Sequence, residues 1–335
     1  MKSLKQILSE KAYTRCESKS FPGFVSPMLA TLTDDYFDDE DWIYERKLDG
    51  VRTLITLKDG VATLWSRNEK QLSNSYPEIK EAFENAKLPN LIIDGEIVAF
   101  EGNVTSFSKL QNRMQISDPE KAQNTGVKVS IYIFDILYYD SYDLTELSLL
   151  NRKKVLREVM PFDDPIRYTS HRKKDGIEFH KEACKKGWEG IIAKDSQATY
   201  VHSRSKKWLK FKCSKGQELV IGGFTEPEGE RVGFGAMLVG YYEEDALHYA
   251  GKVGTGFDDA FLQKWRKKFD AISRKTSPFE NFDEDNQGKN HWITPKYVGE
   301  FGFTEWTNSN KLRHPRFLGM RKDKAAKEVT KEEPT

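Results

Sequence analysis

Apolar residues alternate with a period of two over much of the first two thirds of the chain, with helical periods between these runs. VRTLITLKDGVATLWS (51–66) carries two alternating runs joined through Asp59-Gly60, which predicts a hairpin. LIIDGEIVAF (91–100) and VSIYIFDILYY (129–139) are apolar, β-branched and aromatic, which predicts buried strands. PEIKEAFENAK (77–87) and LSLLNRKKVLREVM (147–160) have the spacing of amphipathic helices. Asp175 is placed to N-cap a helix with Glu178 at its third position and Gly187 at its end. WEGIIAKD (188–195) and WLKFKC (208–213) predict further strands. After Lys215-Gly216 the texture changes to short strands with glycine turns, ELVIGGF, GAMLVGYY and LHYAGKVG, then one helical stretch (258–272), a polar segment (277–290) and strands around KYVGEF and TEWT. This predicts a small β-barrel, a domain boundary near 214–218 and a frayed tail from 325.

Composition narrows the class. The chain has 335 residues, 38% hydrophobic, 31% charged and 12% aromatic, enough apolar material for real cores. No apolar run approaches the 18 residues of a membrane span, and the scattered charges of residues 1–18 do not read as a signal peptide. Cys16, Cys184 and Cys213 are odd in number and far apart in sequence, with no Cys-x-x-Cys pair. A disulfide framework is not expected, and a reducing cytoplasm is. The net charge of +1 hides an uneven distribution. Residues 34–45 hold seven acids and no base; residues 171–215 hold 13 bases and five acids; residues 311–327 hold seven bases and one acid. Two basic stretches on a neutral protein fit a polyanion lying across one face.

The stretch with most chemistry is Glu45-Arg46-Lys47-Leu48-Asp49-Gly50-Val51-Arg52, where a lysine is followed by an acid at +2 and a glycine at +3. Alone it also reads as a turn closed by Asp-Gly. Other motifs follow in order: Trp65-Ser66-Arg67-Asn68, Asp94-Gly95-Glu96, Phe134-Asp135, Glu189-Gly190-Ile191-Ile192-Ala193-Lys194, Trp208-Leu209-Lys210-Phe211-Lys212 and Arg313 to Lys324, RHPRFLGMRKDK. Together they resemble the ordered motifs of the covalent nucleotidyltransferases. With FVSPMLATL (24–32) and HYAGKVGTGF (248–257), they resemble the ATP-dependent DNA ligases, most closely the ligase module of bacterial end-joining enzymes. The likeness runs from Phe24 to Lys324, with no room for the polymerase and phosphoesterase modules of the multifunctional members. It implies a stand-alone, minimal ligase.

The resemblance implies an α+β adenylation (nucleotidyltransferase) domain over 1–215, made of antiparallel sheets with flanking helices, and an OB-fold barrel over 216–335. It assigns Lys47 as the nucleophile that takes AMP from ATP. The attacking amine must be neutral, and neighbouring cations favour that form; Lys210 and Lys212, two apart on a strand, are such neighbours and also face the α-phosphate. Glu45 is expected on the adenine amino group, Phe134 and Ile192 on the two faces of the base, and Glu96 on the ribose. Glu189, with Glu96, is expected to hold Mg²⁺ or Mn²⁺. Arg52 and Arg67 are expected on the ribose or the 5′-phosphate of the nick, and Asp49 on Lys47 or the nick's 3′-hydroxyl. Arg321, Asp323 and Lys324 are expected to orient the departing pyrophosphate.

The reading is therefore a ligase that seals 5′-phosphate/3′-hydroxyl nicks through lysyl-AMP and adenylylated DNA. Nicked duplex DNA is the implied partner, held mainly through its phosphates by the two basic stretches. The implied state is a cytoplasmic monomer, nucleoid-associated when on DNA and without a membrane partner; recruitment by a DNA-end-binding protein is left open. The alternatives are an RNA ligase or capping-type guanylyltransferase, and a non-catalytic nucleic-acid-binding protein. Residues 1–23 and 277–290 carry no legible role.

Overall fold

The computed structural model describes residues 2–114, 116–213, 216–282 and 290–332. The chain divides into two compact units, Met1–Cys213 and Ser214–Glu333.

The first unit is built on two sheets. In one, Leu91–Glu101 lies between Val129–Tyr139 and Val51–Lys58, and Val61–Ser66 completes the hairpin read from the sequence. Asp59 and Gly60 turn that hairpin with φ of 50° and 80°, the left-handed pair that a two-residue connection requires. One face of this sheet is covered by the helices Pro77–Asn85 and Leu149–Val159 and by two short N-terminal helices, through a core that includes Leu4, Ile7, Ile55, Ile79, Phe83, Ile93 and Leu156. Residues 1–23, silent in the sequence, thus contribute core. The other sheet runs His171–Lys173, Trp42–Lys47, Gly190–Asp195, Arg204–Lys212, Leu29–Leu32. Its outer face packs on the helix Gly176–Lys185 through Tyr44, Phe179, Ala183, Ile191, Ala193 and Phe211. Residues of the opposite parity therefore turn towards the first sheet, where Trp208 meets the Phe134 ring at 6.2 Å.

Several expectations are corrected. The sheets are not wholly antiparallel: Ile166–Tyr168 runs parallel to Val129–Tyr139, and Leu29–Leu32 parallel to Arg204–Lys212. Asp175 occupies the N-cap position but adopts a left-handed φ of 57° and its side chain caps nothing; Asp38, from the acidic run, instead accepts from the Ile177 amide at 2.8 Å. Cys184 and Cys213, 29 residues apart, form a disulfide. Local sequence hides this pairing because two strands intervene before the chain returns to the helix carrying Cys184. The helix Phe107–Met114 had no sequence counterpart.

In the second unit the sheet order is Ala246–Val253, Met237–Glu243, Gly216–Thr225, Asn290–Gly302, Ser273–Arg274, with Arg316–Arg321 also paired to Asn290–Gly302. Every one of these pairings is antiparallel. Register shifts at Ile221/Gly223, Val239/Gly240 and Glu300/Phe301 bend the long strands, which curls the sheet as an OB-fold needs. The helix Asp259–Asp270, capped by Asp258 on the Phe261 amide at 2.7 Å, adds Leu262, Trp265 and Phe269 to a core with Ile221, Phe224 and Phe301. The predicted fraying from 325 does not hold throughout: Val329 is buried and its carbonyl accepts from the Tyr242 amide at 2.7 Å. Within the polar segment 277–290, residues 283–289 lie outside the described residues. No helix among the described residues is long and apolar enough to cross a membrane.

Candidate active site

Strand register assembles the site. Gly190 lies opposite Lys47 on one neighbouring strand and Lys212 on the other; Ile192 likewise lies opposite Glu45 and Lys210, and Lys194 opposite Ile43 and Trp208. Residues in register share a face, and successive rows are two residues apart. Lys47, Glu45, Ile192, Lys210 and Lys212 therefore stand on the face turned towards the first sheet.

The glycines of two motifs are explained by close approach. A Cβ on Gly190, whose φ is 145°, would sit 2.0 Å from the Phe211 carbonyl oxygen. A Cβ on Gly50 would sit 2.2 Å from the Ile97 carbonyl oxygen and 3.1 Å from the Glu96 Cγ. Gly190→Ala should therefore cost at least about 2 kcal/mol, from backbone strain and overpacking together. Urea unfolding checks this, and a variant as stable as the parent would contradict the reading of the strand.

The Lys47 ammonium pairs with Glu189 Oε1 at 2.5 Å. Its closest ionic neighbour is thus a carboxylate, Glu189, where the sequence reading had placed Lys210 and Lys212, and Asp49 as one of two roles. Burial alone would raise the Glu189 carboxyl; Lys47, Lys212 and Lys210 more than offset that and hold it below its ordinary range. Glu189, read in the sequence as a metal ligand, thus joins Lys47, Lys210 and Lys212 in one charge cluster.

Glu45 is more enclosed than expected. It is 2% exposed and clamped between Lys153 Nζ at 2.5 Å and Lys194 Nζ at 2.7 Å. Burial raises its carboxyl, but the two ammonium groups prevail and keep it low. Lys153 also donates to the main-chain carbonyl of Thr169 at 3.2 Å. Lys153 was missed as a site residue although its signal is visible: it shares the helix face of Leu149, Leu156 and the buried Arg152.

Arg52 is engaged in a bidentate pair with Asp94, at 2.5 and 2.6 Å, and lies over the Phe134 ring at 4.6 Å. Asp94, fully buried, also accepts from the Tyr200 hydroxyl at 2.6 Å. Asp94, like Tyr200, was not singled out as a site residue from the sequence. Phe134 is 7% exposed, with Lys194 also over its ring at 4.3 Å. Ile192 is half-buried. Asp49 accepts from the Phe107 amide at 3.3 Å, at the start of the helix Phe107–Met114, while its own amide donates to Thr105 Oγ1 at 3.0 Å. Glu96 lies opposite Arg52 and Tyr132 in the first sheet. Arg67 follows the strand Val61–Ser66 in a turn.

A cavity of about 280 Å³ is lined in part by Arg46, Leu48, Tyr132, Thr169, His171 and Trp188; Arg46, of opposite parity to Glu45 and Lys47, turns from their face to the Trp188 ring at 4.3 Å. Arg46 Nε, Thr169 Oγ1 and His171 Nδ1 are buried without a hydrogen-bond partner. His171 lies opposite Glu45, and burial, with help from Lys153, pushes its pKa down to about 4.

In the second unit, Arg321 binds Asp323 through two hydrogen bonds of 3.0 and 2.7 Å, and both Arg321 and Lys324 pair with Glu218. Arg321, Asp323, Lys324 and Glu218 thus form a four-charge cluster in the second unit.

Residues 27–212 match the family model of the ATP dependent DNA ligase domain, and residues 230–324 that of the ATP dependent DNA ligase C terminal region. The multifunctional non-homologous end joining protein LigD of Pseudomonas aeruginosa is 34% identical over 320 residues, covering 93% of this chain and 37% of that protein. DNA ligase 2 of Thermofilum pendens is 31% identical over 328 residues, covering 86% of this chain and 53% of that protein. The chain thus spans 37–53% of the length of these two relatives. A solved structure of mycobacterial DNA ligase D complexed with ATP and MES matches with a TM-score of 0.66 and 29% identity, over 92% of this chain and 98% of that one. On these matches the chain belongs to the ATP-dependent DNA ligases.

Proposed function

We propose that this chain seals nicks in duplex DNA, using ATP to charge Lys47 with AMP. The observation that carries the reading is the cluster of Lys47, Glu189, Lys210 and Lys212 on adjoining strands. It offers one amine nucleophile, one ionised carboxylate and two further cations at one place. Once its ammonium has released a proton to solvent, Lys47 Nζ attacks the α-phosphorus; the new P–N bond makes a phosphoramidate as the P–O bond to pyrophosphate breaks. Lys210 and Lys212 stabilise the charge that develops on the phosphoryl oxygens. AMP then passes to the 5′-phosphate of the nick, and the 3′-hydroxyl displaces it to close the strand.

The adenine is assigned to the face that Glu45 shares with Lys47 and Ile192, with Glu45 on its amino group. Phe134 and Ile192 are assigned to the base faces, and Glu96 to the ribose. Arg52, Arg67 and Asp49 are assigned to the nick, with Arg52 exchanging part of its Asp94 pairing for phosphate. Arg321, Asp323 and Lys324 are assigned to the pyrophosphate.

The residues also fit a divalent cation. Glu189 is kept ionised, and carboxylate oxygen suits Mg²⁺ or Mn²⁺. The three lysines around it disfavour a bare cation, so the metal belongs with a triphosphate whose charge offsets theirs; Glu189 would hold it, with Glu96. When bound it supplies charge neutralisation at the phosphate oxygens. We place the enzyme in the cytoplasm, on nucleoid DNA when engaged, as a monomer, with end-joining relatives suggesting an end-binding partner.

A parallel assay tests the reading against its rivals. With ATP the protein should seal a nicked DNA duplex, and it should neither seal nicked RNA at a comparable rate nor take label from GTP. Sealing confined to RNA, or a GMP adduct, would transfer the assignment to those enzymes.

A further inference from the structure

Away from the adenylation cluster, one group of soft ligands has no part in the chemistry above. His180 and Cys184 are four apart on the helix Gly176–Lys185, so they share one face. Cys213, the last residue of the first unit, reaches the same point from the end of the strand Arg204–Lys212. One ligand atom from each of the three lies within 4.8 Å of the others, and His180 Nε2 is 3.5 Å from Cys184 Sγ. In the structure the two sulfurs are joined, with Cα atoms 5.2 Å apart.

We propose that in the reduced protein His180, Cys184 and Cys213 form a thiolate–imidazole site for a soft divalent metal of the zinc class, with the disulfide as its oxidised, metal-free alternative. Two thiolates and an imidazole are the donor set that zinc favours, and a fourth position is left for water or an incoming ligand. Donors bound to one zinc at about 2.0–2.3 Å in a tetrahedron stand about 3.4–3.8 Å apart. The His180–Cys184 separation already falls in that range.

The surroundings are those of a ligand rather than a chance histidine. The His180 ring is hydrogen-bonded to the main-chain carbonyl of Lys212, and a metal-bound imidazole commonly donates its second ring nitrogen to such a carbonyl. The Tyr36 ring covers the His180 ring at 4.2 Å, and the Tyr36 hydroxyl donates to the same Lys212 carbonyl at 3.0 Å.

The interconversion balances. A phosphine or dithiol reductant supplies two electrons, and with two protons the disulfide becomes two thiols. Zinc then binds both thiolates and the neutral imidazole, releasing two protons. A peroxide or an exogenous disulfide takes two electrons from the thiolates, forming the S–S bond, removing both sulfur ligands and expelling the metal. Because Cys213 directly follows Lys212, the site fixes the end of the strand that carries Lys210 and Lys212.

Cobalt(II) reports the site directly, since thiolate ligation gives a charge-transfer absorption that oxygen ligands do not. Full-length protein is reduced with a phosphine, desalted without air and titrated with cobalt, and zinc is then added in competition with a chromophoric chelator. One equivalent of cobalt should give the thiolate band, and zinc should displace it. Cys16→Ser should leave the band unchanged, His180→Ala should weaken zinc binding at least tenfold, and protein reoxidised to the disulfide should show no band. The oxidised and reduced parent are compared directly, so the result does not depend on a variant folding. A reduced parent with no thiolate band, or a band that survives in a Cys184→Ser/Cys213→Ser protein, would overturn the proposal.

Discussion

Lys47→Ala and Lys47→Arg are both expected to take up no AMP from ATP. Alanine removes the nucleophile. Arginine keeps the charge opposite Glu189, so the fold and the ion pair can persist, but a guanidinium stays protonated and attacks poorly. The arginine variant therefore separates chemistry from structure. Both variants should also fail to seal a nick from ATP. A labelled adduct on the arginine variant would assign the nucleophile to a different residue, and an arginine variant that unfolds would show that Lys47 supports the sheet as well.

The second large effect concerns the support beneath the site. Asp135 and Arg152 are both fully buried and joined by two hydrogen bonds of 2.7 and 2.9 Å. Arg152 also donates to the Leu147 and Ala198 carbonyls at 2.6 and 3.1 Å. Asp135 follows Phe134 in sequence and Arg152 precedes Lys153, so this pair fixes the strand and the helix that deliver two site residues. Asp135→Ala strands a guanidinium in the core and should cost about 3–5 kcal/mol. Replacing the pair together, Asp135→Leu with Arg152→Met, should recover most of that, because no unpaired charge is left. Urea unfolding with the transitions of the two units fitted separately measures both. A loss below about 1 kcal/mol for Asp135→Ala would show that the pair does not anchor the helix.

What the sequence revealed and what it hid divide along physical lines. Strand and helix periods are local, and so the Val51–Ser66 hairpin, the strands around Asp94 and Phe134 and the helix Leu149–Val159 were legible. The motif order gave Lys47, Glu189, Lys210 and Lys212 as candidates. The partners of these groups were harder to read, because they are set by register between strands distant in sequence. Arg52 was read as a contact to the ribose or the nick's 5′-phosphate; its partner Asp94, which holds both ends of its fork, lies 42 residues away. Glu45 was read as exposed to a base, yet Lys153 lies 108 residues away and closes over it. A buried lysine is rarely guessed, since ammonium groups are seldom fully buried unless paired. Here the carboxylate that pairs it is itself buried, and neither half of the pair announces the other.

The central claim is that Lys47 carries AMP from ATP to the 5′ end of a nick. Its most direct test is a pulse and chase with ATP labelled on the α-phosphate. The protein alone should acquire one covalent label, lost when Lys47 is replaced. On addition of unlabelled nicked DNA, the label should move to the 5′-phosphate strand and then appear as free AMP as the nick closes. A label that never becomes covalent, or that stays on the protein while nicks are sealed, would contradict the account.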